Sequence, residues 1–503
     1  VAQAQRGADR GIATEMTPRT RSLFAALSVA LLASCASQYF RPAPPPADPS
    51  PQYRLAHWPD RDYWWGLVFN GEKIGFSHLA IAAGDAPDTF EIRSDAAFVL
   101  RFLGFTKRVN LKGVDTVRGD LDLVGFRYDY TIDGNTVVLV GERRGDALAV
   151  DVTHAGETVR QTLATIGPVR PQSAVALYPA MHGLASGREY RYTVYSGELR
   201  KATAVVQKVG AYERSTLFEG DAFRVETRME GYGVESWVDA RGRTMLEIGV
   251  NGVLVSGLES EQRALAYLAS ASLNKSEALV DFSVVRVAPL VNARGSTHMR
   301  AALAGSGRPV PSDGVQRCRR EGARTTCDVE PAGSAQAASD GSDPRYLAST
   351  FAVPASNGAI ASLAAQIAGD AVDPRERARR VLAWIDANVR KSPADVWSAL
   401  DVLRTREAEC QGHAYLYAAL MRALRTPTRV VNGVVYSPDH GGFLYHTWTE
   451  SLLEGRWVAV DPTFGAMPAD ATHVKLVEGE SLADLTPLAD WIGRLEIEVL
   501  EIR

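Results

Sequence analysis

Two hairpin signals constrain this chain more than any other feature. Asn70-Gly71 separates the apolar run that starts at Tyr63 from the one that ends at Phe76, and Asp133-Gly134 separates Phe126–Ile132 from Thr136–Val140. These dipeptides readily take the left-handed backbone of a two-residue turn, so each predicts a pair of antiparallel strands. Further alternating runs cover Tyr190–Tyr195, Ala204–Val209 and Ser236–Val250. Residues 58–299 are therefore expected to form a β-rich scaffold, sandwich- or barrel-like and open to division into two similar halves. A helix over Ser260–Asn274 would interrupt it. Trp58, Tyr63, Trp64 and Trp65 read more simply as a packed strand face with a wet edge than as the lining of a ligand groove.

A chain of 503 residues is too long for one core, so two or three domains are expected. The formal net charge of -4 argues against a polyanion-binding surface, and nucleic acid is not an expected partner. Residues 300–345, rich in Gly, Ala, Ser and Pro, read as a linker. Within it Cys318 and Cys327 flank a Gly turn. In an exported chain such a near pair reads as a hairpin disulfide; a metal site would need further His or Cys ligands nearby. No metal or cofactor is expected.

The N-terminal region reads as an address. From Met16, Arg19 and Arg21 precede the short apolar run Leu23–Leu32, which is too short to span a bilayer and suits a signal peptide over residues 16–35. Val1–Glu15 would lie upstream of the true start. Leu32-Ala-Ser-Cys35 resembles the lipobox of bacterial lipoproteins, which implies cleavage before Cys35 and lipid on its thiol. Residues 36–57 include a proline-rich stretch expected to be a stiff spacer. Ala36, where an Asp would favour inner-membrane retention, implies a periplasm-facing lipoprotein of the outer membrane. The membrane would be met through the lipid anchor only.

With Cys35 lipidated and Cys318 paired to Cys327, Cys410 is a leftover thiol in an oxidising compartment, and so a candidate reactive group. Its setting supports that reading. Asp373-Pro374 starts one helix, with Ala378, Val381, Leu382, Ile385 and Val389 at helical spacing. Ser392-Pro393 is expected to start a second helix carrying Val396, Leu400 and Leu403. Cys410 opens a third, striped by Leu416, Leu420 and Leu424, and sits at its N-terminus, where free N–H groups favour a thiolate. Two strands follow, Arg429–Tyr436 and Phe443–Glu450, the second with His446, Trp448 and Glu450 on one face. Gly455 then turns the chain into a run that ends at Asp461-Pro462.

Cys410-Gln-Gly, His446-Thr-Trp448-Thr-Glu450 and Trp457-Val-Ala-Val-Asp461-Pro-Thr, in that order, resemble the transglutaminase-like superfamily. The resemblance extends from about Ile360 to Val477 and includes Ala471-Thr-His473-Val. It implies a papain-like α+β fold for residues 346–503, a catalytic helix packed on an antiparallel sheet. Cys410 would be the nucleophile, His446 the base and Asp461 its orienter, with Trp448, Glu450 and Gln411 in support. Glu450 is expected to hydrogen-bond near the triad, and His473 to pack or cap the C-terminal region. His413 and His440 are read as structural. The sequence departs from the family at Ala408, where Gly is common, and at Arg425-Thr-Pro427, where Gly-Ile-Pro is usual. Trp384 and Trp397 are candidates for a second oxyanion donor.

Such a triad would attack a peptide or protein amide through a thioester, resolved by water or by an amine. Substrates in the cell envelope are within reach of that location. The other reading is a dormant peptide-binding or assembly module on the same fold.

Overall fold

The computed structural model describes residues 39–503, except 45, 70, 103, 104, 166, 231, 250, 251, 253, 266–283, 334–342 and 393–395. The signal segment and Cys35 lie outside the described residues, as does most of the helix expected at Ser260–Asn274, of which 261–265 are helical.

Both expected strand sets form, as two meanders of one 16-stranded sheet. The first runs from Asp62–Phe69 to Glu157–Ala164, the second from Glu189–Ser196 to Leu254–Glu259. They are joined where Leu254–Glu259 lies antiparallel to Asp62–Phe69. Asp133 and Gly134 both take positive φ, 49° and 88°, as a tight right-twisted hairpin requires.

The sheet cannot be flat. Leu123–Ile132 lies ten strand positions from Glu189–Ser196, roughly 48 Å in a flat sheet at the usual ~4.8 Å spacing. Yet the Phe126 and Tyr195 rings stack at 4.8 Å. The sheet rolls upon itself, so Ile92, Leu139, Val150, Val194 and Val225 meet in a single core. Trp58, Tyr63 and Trp65 are buried in it, while Trp64 stacks on His78 at the half-buried face.

The proline-rich segment is not the free spacer expected of it. Phe40–Pro42 pairs with the Lys201–Ser215 strand, and Phe40 stacks on Trp237 at 4.3 Å. Tyr53 N–H donates to Ala180 O, and Leu55 is fully buried. Scattered aromatics and leucine between the prolines anchor what the prolines stiffen.

Residues 300–345 also depart from the expected linker. Met299–Ala304, Gln316–Glu321 and Arg324–Val329 form a four-stranded sheet with the C-terminal strand Glu496–Ile502. Cys318 and Cys327 face one another across the hairpin and are disulfide-bonded. Composition hides these strands because their partner lies about two hundred residues along the chain, as in Met299 opposite Ile502. The catalytic unit thus starts before residue 300, since Val284–Arg286 already pairs with Gly442–Leu453.

The catalytic sheet runs in the order Val284–Arg286, Gly442–Leu453, Thr428–Ser437, Val474–Glu478, with Arg456–Val460 on the far half of Gly442–Leu453. Helices Gly358–Ala368, Pro374–Asn388, Ala399–Thr405 and Cys410–Ala423 cover one face. The expected start at Ser392-Pro393 moves to Ala399. Ser398 and Asp401 form a reciprocal capping box there, a stronger start signal than the earlier proline.

The scaffold braces this short helix just ahead of Cys410. His154 Nε2 lies 2.8 Å from Asp401 Oδ2, and Trp397 Nε1 donates to Asn135 O at 3.0 Å. Among the described residues no helix is long and apolar enough to cross a membrane.

Candidate active site

Cys410 is the first residue of its helix, whose remaining turns are almost wholly buried. The N-terminus can approach the neighbouring helix because residue 412 is glycine. A Cβ there would fall 2.7 Å from Ala408 Cβ and 2.9 Å from Val396. At the other end Arg425 takes φ +60°, the left-handed position for which the family's usual glycine is suited.

His446 and Asp461 meet because of register. Gly442–Leu453 and Arg456–Val460 are joined by the tight turn at Glu454-Gly455, and Thr449 pairs with Val460. Asp461 directly follows Val460 and His446 lies three residues before Thr449, so both arrive at the same end of the paired strands. His446 Nε2 lies 2.8 Å from Asp461 Oδ2. That contact leaves the other ring nitrogen for Cys410, with which His446 is hydrogen-bonded.

The charges follow from these contacts. Burial pushes the Cys410 thiol up, but the His446 bond and charge, with the Thr447 amide, hold it below the ordinary thiol value. Burial pulls His446 down, yet the Asp461 carboxylate and the thiolate push it up to about 10. Burial alone would raise Asp461; the charges and hydrogen bonds of His446 and His473 hold it well below the usual carboxylate range. These shifts favour a thiolate–imidazolium pair over the neutral pair, beside a fixed anion.

Asp461 is fully buried and saturated with donors. Its Oδ1 accepts from the amides of Thr463 and Phe464 at 2.8 and 3.2 Å. Its Oδ2 is shared between His446 and a second imidazole, His473 Nε2 at 2.9 Å. His473, expected only to pack or cap, is thus a direct partner of the orienting acid. Its other nitrogen faces Asp470 O at 3.0 Å and Asp470 Oδ1 at 3.2 Å. An imidazole with acceptors at both nitrogens holds both protons; the two carboxylates overcome burial and raise it. The Ala471-Thr-His473-Val stretch was the signal in the sequence.

His446, Asp461 and His473 are also near enough to share a cation. Here both Nε2 atoms instead point at one carboxylate oxygen at hydrogen-bond distance.

The supporting residues divide. Trp448 is buried beside the two imidazoles, offset 6.3 Å from His446 and edge-on to His473 at 5.2 Å. Gln411 bonds to the hydroxyl of Tyr415, which in turn donates to Glu480 O.

Glu450 does not serve the triad in the way expected. Its Oε2 takes Arg429 Nε at 2.7 Å and Lys475 Nζ at 3.1 Å. Those cations also hold Asp313, from the segment expected to be linker. Strand alternation put Glu450 on the His446 face, but these two cations claim it. Trp397 is likewise committed, to Asn135, which removes its indole N–H as an oxyanion donor. His413 donates to Glu409 O, and His440 bonds to Ser437 in a surface turn.

Beside the pair, Phe464 stacks on His446 at 5.3 Å and carries the Arg294 guanidinium at 4.7 Å. A hollow of about 280 Å³ opens there, lined by Arg294, Phe464, Pro468, Asp470 and His473.

Comparison with known proteins bears on this unit. Residues 361–462 match the family model described as the transglutaminase-like superfamily, and the chain carries a domain of that kind. Over 115 residues it is 30% identical to kyphoscoliosis peptidase of Mus musculus and 29% identical to that of Homo sapiens. The match takes in 20% of this chain and 17% of each relative, so the chain spans under a fifth of the curated relatives it matches. A Cytophaga hutchinsonii structure provisionally described as a cysteine protease aligns at 15% identity, 41% of this chain and 85% of that one, TM-score 0.28. A β-barrel-like protein of unknown function from Brucella abortus aligns at 9% identity, 40% of this chain and 94% of that one, TM-score 0.30.

Proposed function

We propose that the chain is a cysteine enzyme acting on peptide or protein amides through a thioester. The observation that carries this is the alignment of Cys410, His446 and Asp461 in one hydrogen-bonded line at a helix N-terminus.

The Cys410 thiolate attacks the amide carbonyl carbon, and the carbonyl electrons move to oxygen. The amides at the helix start face the developing oxyanion; one such donor is worth roughly 2.7–4 kcal/mol in other acyl-transfer enzymes. The C–N bond breaks as the His446 imidazolium gives its proton to the leaving nitrogen. Water or an amine then attacks the thioester and gives a proton to His446. The C–S bond breaks and the thiolate returns. Asp461 fixes the ring and offsets its charge throughout. The hollow beside Phe464 is a site for a substrate side chain.

The chain is read as exported and tethered by lipid at Cys35, facing the periplasm from the outer membrane. The disulfide between Cys318 and Cys327 favours an oxidising compartment.

Iodoacetamide labelling of Cys410 across pH, read by mass spectrometry beside His446→Ala, tests the pair. The expected midpoint lies well below the ~8.5 of a free thiol and returns toward it in the variant. Hydroxylamine added with a peptide mixture should trap acyl groups as hydroxamates. An ordinary midpoint with no trapped product would leave the dormant-module reading in its place.

A further inference from the structure

The roll of the scaffold is not filled. A cavity of about 560 Å³ lies inside it, within the size range of small-molecule sites. Its lining follows strand alternation: Leu111, Gly113 and Asp115 come from one strand, Tyr128 and Tyr130 from the next. Where a solid core would set large apolar side chains, this inner face carries Ser94, Gly113, Thr227 and Gly249. The space is built into the sequence by small residues.

The polar part of the wall has one character. Asp115 is 2% exposed and accepts from Tyr128 Oη at 2.6 Å and Ser173 Oγ at 2.8 Å. Glu198 accepts from Tyr130 Oη at 3.3 Å and is close enough to push Asp115 further up. Glu247 has a long contact to Ser236 Oγ, 3.4 Å. Ser94 Oγ and Gln172 Oε1 are buried with no hydrogen-bond partner. Among the described residues lining the cavity, none is Lys or Arg. Acids and acceptors thus dominate the wall, and its one basic side chain, His78, lies between Asp62 and Asp95, an arrangement costly to maintain for folding alone.

We infer that this cavity binds an amphiphile with an apolar body and an amine head, the head meeting Asp115 and Glu198. The body lies against Trp65, Leu79, Leu111, Met229 and Leu254. A protonated amine supplies the charge opposite to Asp115 and Glu198; an anionic head would meet like charge there. The site is separate from the Cys410 line and stands whether or not that line turns over substrate.

The test uses the full chain at pH 7.5 with the fluorescent amine N-phenyl-1-naphthylamine as probe, displaced by dodecylamine or by dodecanoate. Saturable uptake near one probe per chain is expected. Dodecylamine should displace it at a concentration at least about tenfold lower than dodecanoate, the size expected for one charge-assisted contact.

Gly249→Phe should plug the space, since a Cβ at Gly249 meets nothing closer than Val234 at 3.7 Å. It should abolish uptake while leaving Cys410 labelling as in the parent. Glu198→Gln keeps the shape, and should bring dodecylamine and dodecanoate to similar potency. No saturable uptake, unchanged uptake in a folded Gly249→Phe, or equal displacement by the two competitors in the parent would each overturn the inference. Should Gly249→Phe fail to fold, the Glu198→Gln comparison decides alone: an amine preference that survives it overturns the site as assigned.

Discussion

Asp115 in the rolled scaffold and Asp461 in the catalytic unit are both carboxyl groups sealed from water, yet their surroundings drive them in opposite directions. Burial pushes Asp115 up to about 6, with only hydroxyl donors against it. Asp461 is as deeply buried, but two imidazoles and two amides hold it ionised. The same side chain therefore takes up a proton readily in one region and is a fixed anion in the other. The difference lies in the neighbours: cations and N–H groups converge on Asp461, and the scaffold acids face an open space. Glu450 extends the catalytic pattern, with Arg429 and Lys475 packed on one carboxylate oxygen.

The strongest attempt to break this contrast is Glu450→Ala. Removing one member of a buried ion network leaves charges without their partner, a loss of about 3–5 kcal/mol. Guanidinium unfolding of the full chain should show it. A loss under about 1 kcal/mol would mean that Asp313 and Glu478 satisfy Arg429 and Lys475 unaided.

Asp115→Asn probes the other side. Because the folded value of Asp115 lies above its unfolded 3.8, the unfolded chain loses this proton first, and stability falls as pH rises from 3.8 to about 6. Across that window the parent should lose about 3 kcal/mol that Asp115→Asn does not lose. Parallel pH profiles for the two chains would show that Asp115 is paired after all.

His473→Ala has the smallest expected effect and sharpens the contrast most directly. It deletes one charged hydrogen bond to Asp461, worth about 1.5–3 kcal/mol. The folded value of His473 is raised, so its contribution is fully present below the unfolded 6.5 and fades as pH climbs through the folded value. The gap between parent and variant should therefore close toward alkaline pH. A constant gap would make His473 a packing residue.

The catalytic unit was more legible than the scaffold interior, for a physical reason visible at single residues. Asp373 as cap, Pro374 in the first turn and Cys410 opening a helix are local matters, settled within a few residues. So are the positive-φ turns at Asp133-Gly134 and Gly455. Glu450 misled because strand alternation gives a side chain's face, and Trp397 because nearness to Cys410 in the chain gives only its neighbourhood, while each partner comes from elsewhere in the chain. Arg429 and Asn135 took them, and neither pairing leaves a mark in the nearby sequence. The strands of residues 299–329 were hidden in the same way, by a partner at the C-terminus.

By itself the sequence determined the β-rich character of the first half, the helix that carries Cys410 and the order in which Cys410, His446 and Asp461 arrive. Periodicity, turn chemistry and capping are encoded within one or two turns of chain, so they survive without knowledge of the fold. Only the tertiary structure decided that His473 shares Asp461 and that the scaffold grips the helix ahead of Cys410. It alone decided, too, that the sheet rolls around a space lined with acids. Each of these depends on which distant strands come together. Desolvation acts on a group only after the whole chain has closed around it, and so Asp115 and Asp461 look alike until then.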